Sequence, residues 1–463
     1  MAAVLAMNDL NTAGSPAKTA ARFTYSLDTL RQIARDLLGQ AERGGASACE
    51  VEVSESYGQG VTVRKGEVEQ IEYSRDKGIG VTVYLGQRKG HASTTDFSSQ
   101  ALTDTVAAAH SIARFTAADD CAGLADPGLM AREIHDLDLF HPWDLPVEEA
   151  IERARACEAA AFALDRRIAN SEGAGLHTHH NQFVAANSNG FLAGYPNTYH
   201  SKYCTAIAAQ NGAMQRDDWS AGACSATDLP DEQAIGRYAG ERALARLSGR
   251  KLKTMKVPVL FEAPLAHGLL GSFIGAASGG SLYRKTSFLV DCLGKQVFSP
   301  LVQIDEEPHL KRRIGSSWFD GDGVATTRRK LVIDGVLQGY FLGTYSGRKL
   351  GLPTTGNAGG NHNLRIKSGA LDLPGLLKEM GRGLLVTELM GQGINMVTGD
   401  YSRGAAGYWV EGGEIRYPVE EITIAGNLRD MFKGIVAIGN DVLLRRSREC
   451  GSILVDRMTV AGN

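Results

Sequence analysis

The sequence predicts an α+β protein of two domains: N-terminal helices with an antiparallel sheet, then a mostly β part holding a buried, glycine-rich helix. Three observations lead there. The chain has 463 residues, more than one hydrophobic core ordinarily serves. Near residue 45 the apolar spacing changes from helical to alternating, as it does where a helix gives way to a half-buried sheet. Beyond residue 250, strand-like runs and glycine turns surround one segment, Phe261 to Tyr283, in which apolar residues return at helical spacing.

Residues 1–22, rich in Ala, Thr, Ser and Asn without periodicity, read as a flexible extension outside any core. Residues 23–250 form the first predicted domain. Leu27, Leu30, Ile33, Ala34, Leu37, Leu38 and Ala41 lie on one face of a helix that Gly44-Gly45 stops. Strands are expected at Cys49–Val53, Gly60–Arg64, Val68–Tyr73, Ile79–Leu85 and His91–Thr95, with Gly58-Gln59-Gly60, Lys65-Gly66 and 86–90 as hairpin material. Ser98 caps a second helix to about Arg114. Residues 115–145 are a weakly patterned connector, and Pro146 opens a helix to about Leu164. Asn189-Gly190 and Asn211-Gly212 mark hairpins, and a helix over 231–247 leads to the boundary near residue 250. In the second domain, 251–463, hairpins are expected at Asp334-Gly335 and over 411–414, and Asn427 caps a short helix before the closing strands.

Composition narrows the function. Net charge is −3, from 49 basic and 52 acidic residues, and the basic clusters are short and dispersed, which disfavours a nucleic-acid surface. Seven cysteines, an odd number without CxxC spacing, fit free thiols in a reducing cytoplasm. Ala2 to Met7 is too short and unflanked for a secretory signal, and the glycine-rich stretch, broken by Pro264 and holding His267, is no membrane span.

That stretch reads FEAPLAHGLLGSFIGAASGGSLY, with Gly271, Gly275, Ala276, Ala277, Gly279 and Gly280 giving it an unusually small face. Such residues admit a second backbone at close range. Four further strings accompany it: SGGSLYRKTSFL (278–289), GLPTTGNAGGNHN (351–363), LLVTELMGQGINMVTGDYSRGAAGYWVEGGEI (384–415) and EITIAGNLRDMF (421–432). Together with ERALARLSGRKLKTMKVPVLF (241–261), they resemble the TldD/PmbA family over nearly the whole chain, and within it the PmbA, or TldE, branch. In the TldD branch the helix carries HExxxH after a pair of apolar residues. Matching that pair to Leu269-Leu270 puts Gly271 at the first ligand position, Ser272 at the glutamate and Ala276 at the second ligand. None of these can bind zinc or activate water. Cys450, in RECGSIL, is the residue nearest to the family's zinc-binding cysteine, but Gly451-Ser452-Ile453 departs from GKxGQ.

The resemblance implies a PmbA/TldE-type subunit without zinc or catalytic residues of its own. It would pair with a TldD-like subunit that carries the zinc and admit unfolded peptides, in maturation of peptide antibiotics and turnover of antitoxins. An old label for the family is modulator of DNA gyrase. Candidate peptide or partner contacts are Gly279, Gly280, Arg284, Lys285, Asn361, His362, Asp400, Tyr401 and Arg403. Arg284 and Lys285 suit a carboxylate as well as they suit a solvated surface. Asp400, Tyr401 and Arg403 read either as a turn and edge strand or as a backbone to which a peptide adds as a strand. His177, His179 and His180 form the one histidine cluster, without an acidic or thiol partner at ligand spacing. Two alternatives stay open: a self-sufficient hydrolase using Cys450 or a serine with His362, and a homodimeric peptide-binding protein.

Overall fold

The structure is a computed structural model that describes residues 23–462; the extension expected over residues 1–22 lies outside the described residues. Helix α1 (Leu27–Arg43) starts where Ser26 accepts from Thr29 N, and it buries Leu30, Ala34, Leu37, Leu38 and Ala41. Strands β1 (Ala48–Arg64), β2 (Glu67–Leu85) and β3 (Arg88–Thr94) follow as an antiparallel meander, and α2 (Ser99–Phe115), capped by Ser98, packs back on it. Helix α3 (Val147–Phe162) begins after Pro146. Then come β4 (Ile168–Asn187), β5 (Leu192–Ala193), β6 (Pro196–Gln210), β7 (Ala213–Ala223) and the Asp231-capped α4 (Glu232–Ala245). The sheet runs β3-β2-β1-β4-β6-β7, with β5 on β4. Helices α1 and α2 cover one end through Leu37, Val51, Val81 and Val106. At the other end α3 and α4 bury Ala154 and Ile235 against Val61 and Leu176.

One expectation is corrected here. Gly58 and Gly60 do not turn the chain; they lie inside a continuous β1, paired with β2 on one side and β4 on the other. A Cβ on Gly58 would sit 2.7 Å from Thr178 O, and one on Gly60 would sit 2.6 Å from His177 Nδ1. These glycines therefore serve close approach within the sheet, a use that glycine in a strand shares with bulges and bends.

The second half holds two more sheets. From β8 (Met255–Phe261) the chain passes through α5 (Ala263–Ala277) and α6 (Gly279–Tyr283) to β9 (Ile304–Glu307). The hairpin β10 (Arg329–Ile333) and β11 (Val336–Leu337) turns at Asp334 and Gly335, both at positive φ as a two-residue turn requires. Next are α7 (Thr344–Leu350), β12 (Asn363–Ile366), α8 (Leu373–Met380), β13 (Arg382–Met390), β14 (Asp400–Glu411) and β15 (Glu414–Asn427). The Asn427-capped α9 (Leu428–Lys433) precedes β16 (Ile435–Ile438), β17 (Leu443–Arg445), β18 (Arg448–Cys450) and β19 (Ile453–Ala461). One sheet is β11-β10-β9-β12-β18-β17; the other is β15-β14-β13-β8-β19-β16. Because β19 also pairs with β15, Thr423 opposite Ala461, five strands of the latter close on themselves.

The two halves meet through an apolar cluster that includes Met130, Phe191, Trp318, Phe319 and Val324. They also meet through ion pairs, Arg242 to Glu262 at 2.8 Å and Arg246 to Glu388. Beside the cluster, the buried Asp320 carboxylate accepts from Asp322, Val324 and Ala358 N–H, each at 2.9 Å. Burial first, and the Asp322 charge second, raise its pKa to about 7. An unfolded Asp titrates near ~3.9, so over this interval the folded chain keeps a proton that the unfolded chain has released. The stability this carboxyl contributes is full below about pH 4 and is lost as pH rises to 7. Accordingly, the melting-temperature advantage of wild type over Asp320→Asn should be larger at pH 5 than at pH 8. An advantage that grows with pH would contradict the assignment.

Candidate functional site

The expected zinc-motif positions all fall on α5 or beside it. Strand β8 delivers the chain to α5 through Glu262, and Ser452 Oγ accepts from Ala263 N at 2.9 Å, anchoring the helix start to the segment before β19. One face buries Ala266, Leu269, Leu270, Phe273, Ala276 and Ala277. The helix stops at Ser278, whose extended backbone bridges to Phe341. The opposite side of this expected buried helix is partly open. Gly268, Gly271 and Gly275 line it; a Cβ on Gly268 would meet nothing within 4 Å, and one on Gly275 would meet only the Met396 methyl, at 3.5 Å.

Gly271 is the exception, because a Cβ there would lie 2.8 Å from Arg448 Nη1. That guanidinium crosses the helix at the glycine and donates to His267 O at 3.0 Å. Ser272 Oγ donates to Gly268 O at 3.2 Å, and Ala276 is fully buried. Cys450 is wholly buried, its Sγ is 3.0 Å from Gly451 O, and burial raises its thiol pKa, so it holds its proton. His267 has carbonyls at both ring nitrogens, Ala263 O at 2.6 Å and Leu443 O at 2.8 Å. A fixed cation and no free donor face the position a zinc would take, so these residues do not fit one. Among the described residues no group of three or more His, Cys, Asp or Glu is placed to hold a metal ion.

The loop over 351–363 is built around a buried charge. Glu306, with no exposure, accepts from Arg329 Nε at 3.0 Å, Asn357 Nδ2 at 2.8 Å and His362 N at 2.8 Å. His362 Nε2 is 2.9 Å from Gly356 O, and Asn361 Nδ2 donates to Ser447 Oγ at 3.2 Å. His362 and Cys450 are thus each engaged with separate backbone carbonyls, and no nucleophile–base contact joins them.

The strand-addition reading of Asp400, Tyr401 and Arg403 is also corrected. Strand β15 pairs with this stretch along one side, and on the other Tyr401 bridges to Ile394 while Ser402 N donates to Gly393 O at 2.7 Å. No edge is left there for a peptide. Tyr401 is buried, which pushes its hydroxyl up to about 12, and Asp400 ties the turn through Thr398 and Asn427. Gly279 lets α6 approach Ser346 on α7, where a Cβ would sit 2.3 Å from its Oγ. Arg284 and Lys285 are exposed beyond it, with Arg284 on the Tyr283 hydroxyl. His177 and His179 share a face of β4, over Gly60 and Gly58 of β1. His180 stacks on Tyr57 on the opposite face, 4.4 Å between centroids.

Sequence reasoning missed Arg445 and Arg448. Both belong to the β17–β18 hairpin, from which Arg448 reaches α5 at His267 O and Arg445 reaches β7 at Ser220, a juxtaposition that spacing does not reveal because both partners lie far upstream.

Three family profiles match in succession: PmbA/TldA metallopeptidase domain 1 over residues 49–113, the central domain over 140–247 and the C-terminal domain over 254–462. The fold is thus that of a metallopeptidase-related family. The chain is 50% identical to the "Metalloprotease PmbA" of Escherichia coli O157:H7 over 90% of this chain and 93% of that one. It is 23% identical to a "Metalloprotease TldD homolog" of Haemophilus influenzae over 81% of this chain and 82% of that one. A crystal structure from Bacteroides thetaiotaomicron, described as a proposed modulator of DNA gyrase, superposes with a TM-score of 0.89 at 27% identity, covering 95% of this chain and 100% of that one. The chain belongs to the PmbA/TldD family, on its PmbA branch. Among the described residues no helix is long and apolar enough to cross a membrane.

Proposed function

We propose that this chain is the non-zinc-binding, PmbA/TldE-type subunit of a two-subunit cytoplasmic peptidase whose TldD-like partner carries the zinc. The observation behind this reading is Arg448. Its guanidinium lies over Gly271, where the partner's motif requires a ligand, while Ser272 and Ala276 offer neither base nor ligand. The chain contributes the wall of a chamber and not the chemistry. The open side of α5, bare at Gly268 and Gly275, gives an extended peptide room to pass. Peptide maturation and antitoxin turnover are the processes such a pair would serve.

The test is reconstitution. The isolated chain should carry no stoichiometric zinc and cleave no unfolded peptide, and activity should appear when the TldD-like subunit is added and vanish on chelation. About one tightly held zinc per isolated chain, or cleavage by the isolated chain that survives chelation, would overturn the proposal.

A further inference from the structure

The β17–β18 hairpin sets two arginines against each other. Arg445 and Arg448 are directly opposed in register, which places their side chains on the same face, and each also feels another cation, Arg242 for Arg445 and Arg446 for Arg448. Arg445 lies 5.1 Å from the Trp219 ring centroid and donates to Ser220 Oγ at 2.9 Å. Arg448 reaches over Gly271 to His267 O. Each is half-buried, and burial lowers the pKa of both guanidiniums.

Several neighbouring arginines are paired, although the half-buried Arg403 also makes no ion pair among the described residues. Arg242 has Asp217 and Glu262, Arg246 has Glu388 and Arg329 has Glu306. Among the described residues no carboxylate makes an ion pair with Arg445 or Arg448; Asp218 and Glu262 act on Arg445 only from a distance. A desolvated cation left without a counter-charge is unfavourable. The pair is therefore short of an anion.

We propose that Arg445 and Arg448 form a binding site for a carboxylate of an extended peptide lying along the open face of α5. The guanidinium fork matches a carboxylate in a bidentate manner. A phosphate would share that geometry, but the nearby Asp218 opposes a dianion more than a monoanion. The carboxylate comes from the peptide C-terminus or from an acidic side chain. This proposal rests on the peptide-handling role proposed above and deepens it.

The experiment is calorimetric titration of the isolated chain with three versions of one unstructured Ala/Ser/Gly hexapeptide. One has a free C-terminus, one is C-terminally amidated, and one is amidated with an internal Glu. The free acid should bind at least about tenfold more tightly than the plain amide, as one lost charge-assisted contact implies. If the internal Glu restores affinity, the site takes side-chain carboxylates; if it does not, the site takes the terminus. Arg445→Gln and Arg448→Gln should each abolish the preference, with melting curves establishing that each variant is folded. Should Arg448→Gln fail to fold, Arg445→Gln and the weakening of free-acid binding by salt carry the test. The absence of any acid preference, its survival in a folded variant, or stronger competition by inorganic phosphate than by acetate would overturn the proposal. No zinc subunit is used, so failure here is distinct from failure of the reconstitution.

Discussion

Glu306→Leu is expected to destabilise the chain by about 3–5 kcal/mol, the usual cost of removing one partner from a buried ion pair. Arg329 would keep its charge with its carboxylate gone, and Asn357 Nδ2 and His362 N would lose their acceptor together. The loop over 351–363 should loosen with them. The double variant Glu306→Leu with Arg329→Met should recover much of the loss, because an apolar pair leaves no stranded charge. Urea denaturation of the single and double variants checks both statements. A single variant within about 1 kcal/mol of wild type would mean that the pair does not hold the loop.

Gly275→Leu should separate folding from function. A Cβ there would meet only the flexible Met396 methyl, at ordinary contact distance, and the position lies on the open face of α5. Leucine is also the better helix former by roughly 0.8 kcal/mol. The isolated variant should therefore melt within a few degrees of wild type. In the reconstituted pair the same side chain would occupy the passage, and peptide cleavage should fall at least about tenfold, the effect of a contact worth ~1.4 kcal/mol or more. A variant that folds and supports full cleavage would remove α5 from the peptide path.

What the sequence made legible was local. Ser98 and Asn427 cap the helices expected of them, because a cap depends on residues two or three positions away. The turn at Asp334-Gly335 was readable for the same reason. Gly58 and Gly60 were not, since a glycine admitting a neighbouring strand looks identical in sequence to one turning a corner. Tyr401 looked available because nothing nearby in sequence shows that residues 393–394 return to pair beside it. At the candidate site, the missing ligands Gly271, Ser272 and Ala276 could be seen directly. That Arg448 fills the space over Gly271 is a tertiary fact, set by a hairpin whose strand β18 pairs with β12, far from α5 in sequence.

The closed ring of strands also sets an order in time. In the first sheet each main strand finds a neighbour among those made shortly before or after it. Strand β8 does not: Val259 rests between Leu384 and Val455, which are synthesised long afterwards. During translation the N-terminal sheet can settle early while β8 and the apolar segment after it wait, both edges unsatisfied, for their partners to emerge. Non-local pairing of this kind is slow, and unpaired apolar strands invite misassembly. The half of the molecule that forms the proposed chamber is thus also the half that most needs protection while it is being made.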